Sequence, residues 1–151
     1  MRGLLLRREM KILKFLKYPL SLKILVVRVF LLALYYKWLI SKKAFRDICC
    51  RLGKRCESAP FEPYSGNNKE RIFEVSRAIK IVCPRLHFKN ECLVEAFVAK
   101  RLLLHEKMTV YMGVAKTKDG AMRAHAWTRC GDIYVTGAEG REQFTVTAVF
   151  A

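Results

Sequence analysis

Residues 90–115 read NECLVEAFVAKRLLLHEKMTVYMGVA. Two periods meet inside this stretch. From Cys92 to Leu104 strong helix formers build a wide apolar face, and Asn90 supplies an N-cap, so the segment predicts a helix with Cys92 near its start. Beyond His105 the apolar residues Met108, Val110, Met112 and Val114 recur at every second position, which is the spacing of a strand. Toward the C-terminus the strand signals continue: a turn at Asp119-Gly120, a strand over 122–129, a tight turn at Cys130-Gly131-Asp132, a strand over 133–136 and a last one over 144–150. Helices followed by an antiparallel meander make an α+β fold.

Toward the N-terminus Ile72, Val75, Ile79 and Val82 recur at helical spacing until Cys83-Pro84 breaks the run. Before them lies the segment 59–68, with Pro60, Pro63, Gly66 and the pair Asn67-Asn68, which marks a boundary. The expected organisation is therefore a basic, Leu-rich helical extension over 1–58 and an α+β unit over 59–151. The extension holds helices at 4–17, at 21–40 after Pro19, and at 42–52 ending at Gly53.

Residues 21–40, SLKILVVRVFLLALYYKWLI, have the length of a membrane span. Arg28 stands near the middle, where a lone cation costs a few kcal/mol, and Lys23 lies roughly 140° away on a helical wheel, so no clean polar face forms. The expectation is a mostly buried helix at a domain edge; docking on a membrane surface or a partner is the alternative. Lysines and arginines interrupt the apolar start and no small-residue cleavage site follows, which argues against a signal peptide.

The chain has 151 residues, 52% of them hydrophobic, enough for one core but not for two large domains. Its 29 Lys and Arg against 13 Asp and Glu give a net charge of +16, and up to Arg55 there are 15 basic residues and 2 acidic ones. The charge excess is mostly N-terminal. Of the six cysteines, at 49, 50, 56, 83, 92 and 130, two are adjacent and none forms a small-scaffold framework, so reduced thiols in a cytoplasmic setting are expected.

Cys92 and His125 are the residues that suggest chemistry. A thiol attacks as the thiolate; a helix N-terminus favours the anion, and a nearby imidazole accepts the proton and later returns it to a leaving amine. No paired C-x2-C or H-E-x-x-H spacing points to zinc, the zinc-deaminase pattern fails because no Glu lies two residues after His125, and no Gly-rich phosphate loop is present. No cofactor is expected.

A Cys at a helix start followed by a sheet whose second strand bears a His resembles the papain-like and transglutaminase-like cysteine enzymes. More narrowly, Ala78-Ile79-Lys80-Ile81-Val82-Cys83-Pro84, Cys92-Leu93-Val94-Glu95-Ala96, Gly113-Val114-Ala115-Lys116 and Ala124-His125-Ala126-Trp127 resemble, in order and spacing, the stand-alone leader peptidases of lasso-peptide biosynthesis. That resemblance implies a cysteine peptidase core in which a Cys-bearing helix packs on an antiparallel sheet. It also implies a ribosomally made precursor peptide as substrate, a separate small leader-recognition protein, and an ATP-dependent macrolactam synthetase acting afterwards.

The family's third catalytic residue is an Asp on the strand after the His, and the position expected for it here is Gly137. Asp132, in the preceding turn, is the acid we assign to the role, with Glu139 as the other candidate; a main-chain carbonyl or a water are the alternatives. A different class of function is a non-enzymatic adaptor whose basic N-terminal portion binds anionic membrane or nucleic acid. No aromatic stacking stripe accompanies the basic residues, so nucleic acid is not expected and a peripheral membrane contact is the stronger version.

Overall fold

A computed structural model describes residues 18–88 and 91–151. The helix expected at 4–17 and the Asn90 cap lie outside the described residues.

Pro19 opens helix α1 (Leu20–Lys42), its carbonyl accepting from the Leu22 and Lys23 N–H groups at 3.1 and 3.2 Å. The helix is apolar on two opposite sides. Leu22, Leu25, Val29, Ala33, Tyr36 and Leu39 face inward and are buried, Tyr36 stacking on Phe97 at 5.0 Å. Ile24, Val27, Leu31, Leu34 and Trp38 face outward and are exposed. Two opposed apolar faces cancel as a periodic signal, which is why the sequence shows no clean polar face. The expected mostly buried helix is thereby corrected: 28% of its most apolar 18-residue window is buried. By length and composition α1 is also long enough to cross a bilayer, a test that soluble core helices pass as well.

Lys43 and Ala44 are extended, so the helix expected at 42–52 is split into a short α2 (Phe45–Ile48) and a 3-10 turn (Cys49–Leu52). Gly53 ends it at φ +126°, where a Cβ would lie 2.4 Å from the Ala151 oxygen. This close approach lets Lys54 and Ala151 exchange backbone hydrogen bonds of 2.9 and 3.0 Å. It leads into β1 (Arg55–Cys56), which pairs with Phe150 and Val149. A two-residue strand has no period to read and is absent from the expectations above.

Helix α3 (Lys69–Leu86) buries Ile72, Val75, Ala78, Ile79 and Val82 and continues through Pro84 to a left-handed His87. The break expected at Pro84 does not occur. Proline removes one hydrogen bond, that to the Lys80 carbonyl, and both Lys80 and Pro84 lie on the exposed side of the helix, away from the core, so the last turn closes regardless. Helix α4 (Glu91–Leu102) buries Val94, Ala96, Phe97, Val98 and Ala99. It is apolar nearly all round because it packs on α1 and α3 on one side and on the sheet on the other.

The strands are β2 (Met108–Lys116), β3 (Met122–Cys130), β4 (Ile133–Thr136) and β5 (Thr145–Phe150). Together with β1 they form one antiparallel sheet in the order β1-β5-β2-β3-β4. The α+β expectation and the four readable strands hold to within a residue. Buried side chains of α1, α3, α4 and the sheet belong to a single core cluster. The change of sequence character at 59 is therefore not a gap in packing, because α1 and β1, both placed in the extension, complete the core and the sheet.

The 59–64 segment is pinned to the outer sheet face by Arg129, which is only 4% exposed. Its guanidinium donates to the Tyr111 hydroxyl at 2.9 Å and to the carbonyls of Gly131, Ala59 and Pro60 at 2.6, 3.0 and 2.8 Å, with the Phe61 ring 5.0 Å away. Replacing it with methionine strands those acceptors. Arg129→Met is expected to lower the unfolding free energy by about 3 kcal/mol. An unchanged urea midpoint would show that the clamp contributes nothing.

Candidate active site

Cys92 is the second residue of α4 and is half-buried. Burial raises its thiol pKa, outweighing main-chain hydrogen bonding at Ala126 of β3 and at Leu93 and Cys92 of the helix start, which favours the anion. The helix N-terminus therefore does not deliver a ready-made thiolate. At neutral pH Cys92 is a thiol, and a nucleophilic role for it would require a base.

His125 lies on β3, opposite Gly113 of β2. Its ring is held between Trp127 and Phe144, with centroids at 5.9 and 5.0 Å. Nε2 is 2.8 Å from the carbonyl oxygen of Gly137. A carbonyl only accepts, so Nε2 carries the proton, and in the neutral ring Nδ1 is the free base. Gly113 allows this packing: a Cβ there would come within 3.0 Å of Phe144 Cβ and 3.1 Å of the Trp127 ring.

Gly137 is the position where an acid was expected. Its φ is +64°, and a Cβ would fall 2.3 Å from the Ala126 oxygen and 3.0 Å from Trp127 Cα. No side chain fits there, and the backbone supplies through its carbonyl the contact that an Asp would make. Asp132, our assigned acid, lies elsewhere: its Oδ1 accepts from the Tyr64 N–H at 2.9 Å, in the turn beyond β3. Five residues of strand, about 17 Å, separate His125 from Cys130 at the start of that turn. Asp132 therefore anchors the 59–68 segment and does not orient His125. Glu139 is exposed.

Cys92 and His125 line one cleft of about 330 Å³, together with Lys43, Phe45, Met112 and Ala126. Phe45 and Met112 are also walls of an adjoining hollow of about 970 Å³ that carries Arg46, Lys54 and Arg55. The 42–55 region thus builds the approach to the pair, which sequence spacing had no means to show. The expected pair is brought into one cleft by α4 and β3; the third expected residue is not.

A profile for the transglutaminase-like superfamily matches residues 30–149. The chain belongs to that superfamily. No curated protein and no solved structure matches it significantly. The matched region begins inside α1, in keeping with a helix that shares the core of the superfamily domain.

All six cysteines are free thiols. Burial pushes Cys83 up to about 12 and Cys130 up to about 11, so both are inert at neutral pH. Among the described residues no three His, Cys, Asp or Glu side chains gather as metal ligands would. His87 closes α3, its Nδ1 3.0 Å from the Arg85 carbonyl.

Glu95, one turn along α4 from Cys92, is a titratable neighbour that sequence reading did not single out. Burial, reinforced by Glu91 and opposed by Lys80, pushes its carboxyl up to about 7. The folded pKa lies above the ordinary 4.5, so folding favours the protonated form. The resulting penalty is absent at acid pH, grows as pH rises through 4.5 to 7, and is full above 7. Glu95→Gln is accordingly expected to stabilise the protein by about 2 kcal/mol at pH 8 and to leave it nearly unchanged at pH 4.5. Urea titrations at the two pH values check it; equal effects at both would contradict the half-buried, titrating carboxyl. Ionised Glu95 also raises the Cys92 pKa, so the variant should alkylate faster at that thiol above pH 7.

Proposed function

We propose that this chain is a cysteine peptidase that removes the leader from a ribosomally synthesised lasso-peptide precursor through an acyl-enzyme. The carrying observation is that Cys92 at the start of α4 and His125 on β3 line one cleft, with the imidazole held through Nε2 so that Nδ1 is the free base. The ordered landmarks around Pro84, Cys92-Leu93, Gly113-Val114 and His125-Ala126-Trp127 supply the substrate class.

The chemistry follows from these groups. Nδ1 of His125 takes the Cys92 proton as the sulfur adds to the scissile carbonyl, and main-chain N–H groups at the start of α4 are donors to the developing oxyanion. The tetrahedral species collapses as the imidazolium returns that proton to the departing amine. Water, deprotonated by the same imidazole, then attacks the thioester and releases the leader carboxylate and the thiol. The Gly137 carbonyl keeps the ring oriented throughout and stabilises its protonated form.

A small enzyme has little surface with which to read a whole leader. The precursor is therefore presented by a small leader-recognition protein, which raises its effective concentration at the cleft, and the freed core passes to an ATP-dependent macrolactam synthetase. The test is mass spectrometry of precursor incubated with the enzyme, with and without the recognition protein. One cut at the leader–core junction, accelerated by the partner, is the expected result. Intact precursor under both conditions would overturn the reading.

A further inference from the structure

We propose that the outward face of α1 is a docking surface for an anionic lipid bilayer, on which the helix lies parallel to the membrane plane. This inference is independent of the peptidase reading.

Leu20, Ile24, Val27, Leu31, Leu34 and Trp38 fall within about 40° of one line along the helix at about 100° per residue. They form a stripe spaced four and three residues apart, and every one is exposed, Leu31 at 59% and Trp38 at 56%. From residue 20 to 38 the stripe runs about 27 Å. Cations border it on both sides: Arg28 lies about 80° to one side, and Lys23 and Lys37 about 60° and 100° to the other. Lys37 also rests over the Phe88 ring at 5.3 Å. Long basic side chains at the edge of an apolar face reach headgroup phosphates while the face enters the acyl boundary, and Trp38 with Tyr35 suits the interface itself.

Charge decides between occupants. The helix contains no Asp or Glu, and only Glu9 and Asp47 precede Arg55. A second copy docked on this face would set cationic rims against cationic rims, whereas an anionic surface complements them. Crossing the bilayer is opposed by the inner side of α1, whose Leu22, Leu25, Val29 and Ala33 are committed to the core. Ile40 and Lys43, at the end of α1 and just after it, line the Cys92–His125 cleft, so docking would hold that cleft close to the membrane.

The test uses the full chain and vesicles of phosphatidylcholine alone or with roughly 30% phosphatidylglycerol, an anionic headgroup. Cosedimentation with the anionic vesicles, release by alkaline carbonate, and a blue shift of Trp38 emission in a Trp127→Phe background are expected. Leu31→Glu/Leu34→Glu, placed on the exposed side and verified by circular dichroism, should weaken vesicle binding at least about tenfold. Because residues 1–17 carry six further cations, undiminished binding by this double variant would assign the contact to them and overturn the proposal. Absence of binding, carbonate-resistant insertion, or a concentration-dependent dimer abolished by the double variant would overturn it equally.

Discussion

Replacing Cys92 with alanine is expected to reduce precursor cleavage at least about 10³-fold, and His125→Ala to reduce it comparably, because neither group works without the other. The coupling has a specific cause here. Burial raises the Cys92 pKa in spite of the helix start, so in the proposed mechanism the attacking thiolate forms by proton transfer to His125. In His125→Ala, alkylation of Cys92 by iodoacetamide, followed by peptide mapping, should therefore climb about tenfold per pH unit up to pH 9. A rate already saturated at pH 7 would mean a preformed thiolate. Single substitutions at Cys49, Cys50, Cys56, Cys83 or Cys130 should leave the cut product in place. Undiminished cleavage by folded Cys92→Ala would end the peptidase reading.

Gly137→Ala is expected to be the most damaging change that removes no functional side chain. A Cβ at φ +64° meets the Ala126 oxygen at 2.3 Å, so the segment must move away from β3 and carry its carbonyl off His125. We expect a loss of about 3 kcal/mol in stability and, at temperatures where the variant is folded, about a hundredfold fall in kcat with KM little changed. Gly137 is a positioning residue, and the readout that separates positioning from mere destabilisation is the histidine tautomer. Nitrogen-15 NMR should show Nε2–H in the parent and a mixture of tautomers in the variant. Asp132→Asn provides the contrast. An Asn oxygen still accepts from the Tyr64 N–H, so cleavage should stay within about twofold. Loss of activity in Asp132→Asn as deep as in Cys92→Ala would restore Asp132 as the orienting acid and refute the carbonyl.

Periodicity was enough for the architecture of the C-terminal half. The change from helical to alternating spacing at His105 located α4 and β2, and the turn chemistry at Asp119-Gly120 and at Gly131 placed β3 and β4, because these signals are local and each residue reports its own surroundings. The same locality put Cys92 at a helix start and His125 on the second readable strand. What depends on close approach between distant segments left no such trace. Gly137 reads as a missing acid until its backbone is seen against Ala126; Arg129 reads as one more surface cation until its guanidinium is found among the carbonyls of 59 and 60. Likewise α1 conceals two functions in one pattern, since a helix apolar on opposite sides gives no net periodic signal and only its packing on α3 and α4 tells the core face from the free one. Residue type and spacing determine which groups are available. Which of them become buried, oriented or left exposed is set by tertiary contacts, and it is burial that keeps Cys92 a thiol despite its place at a helix start.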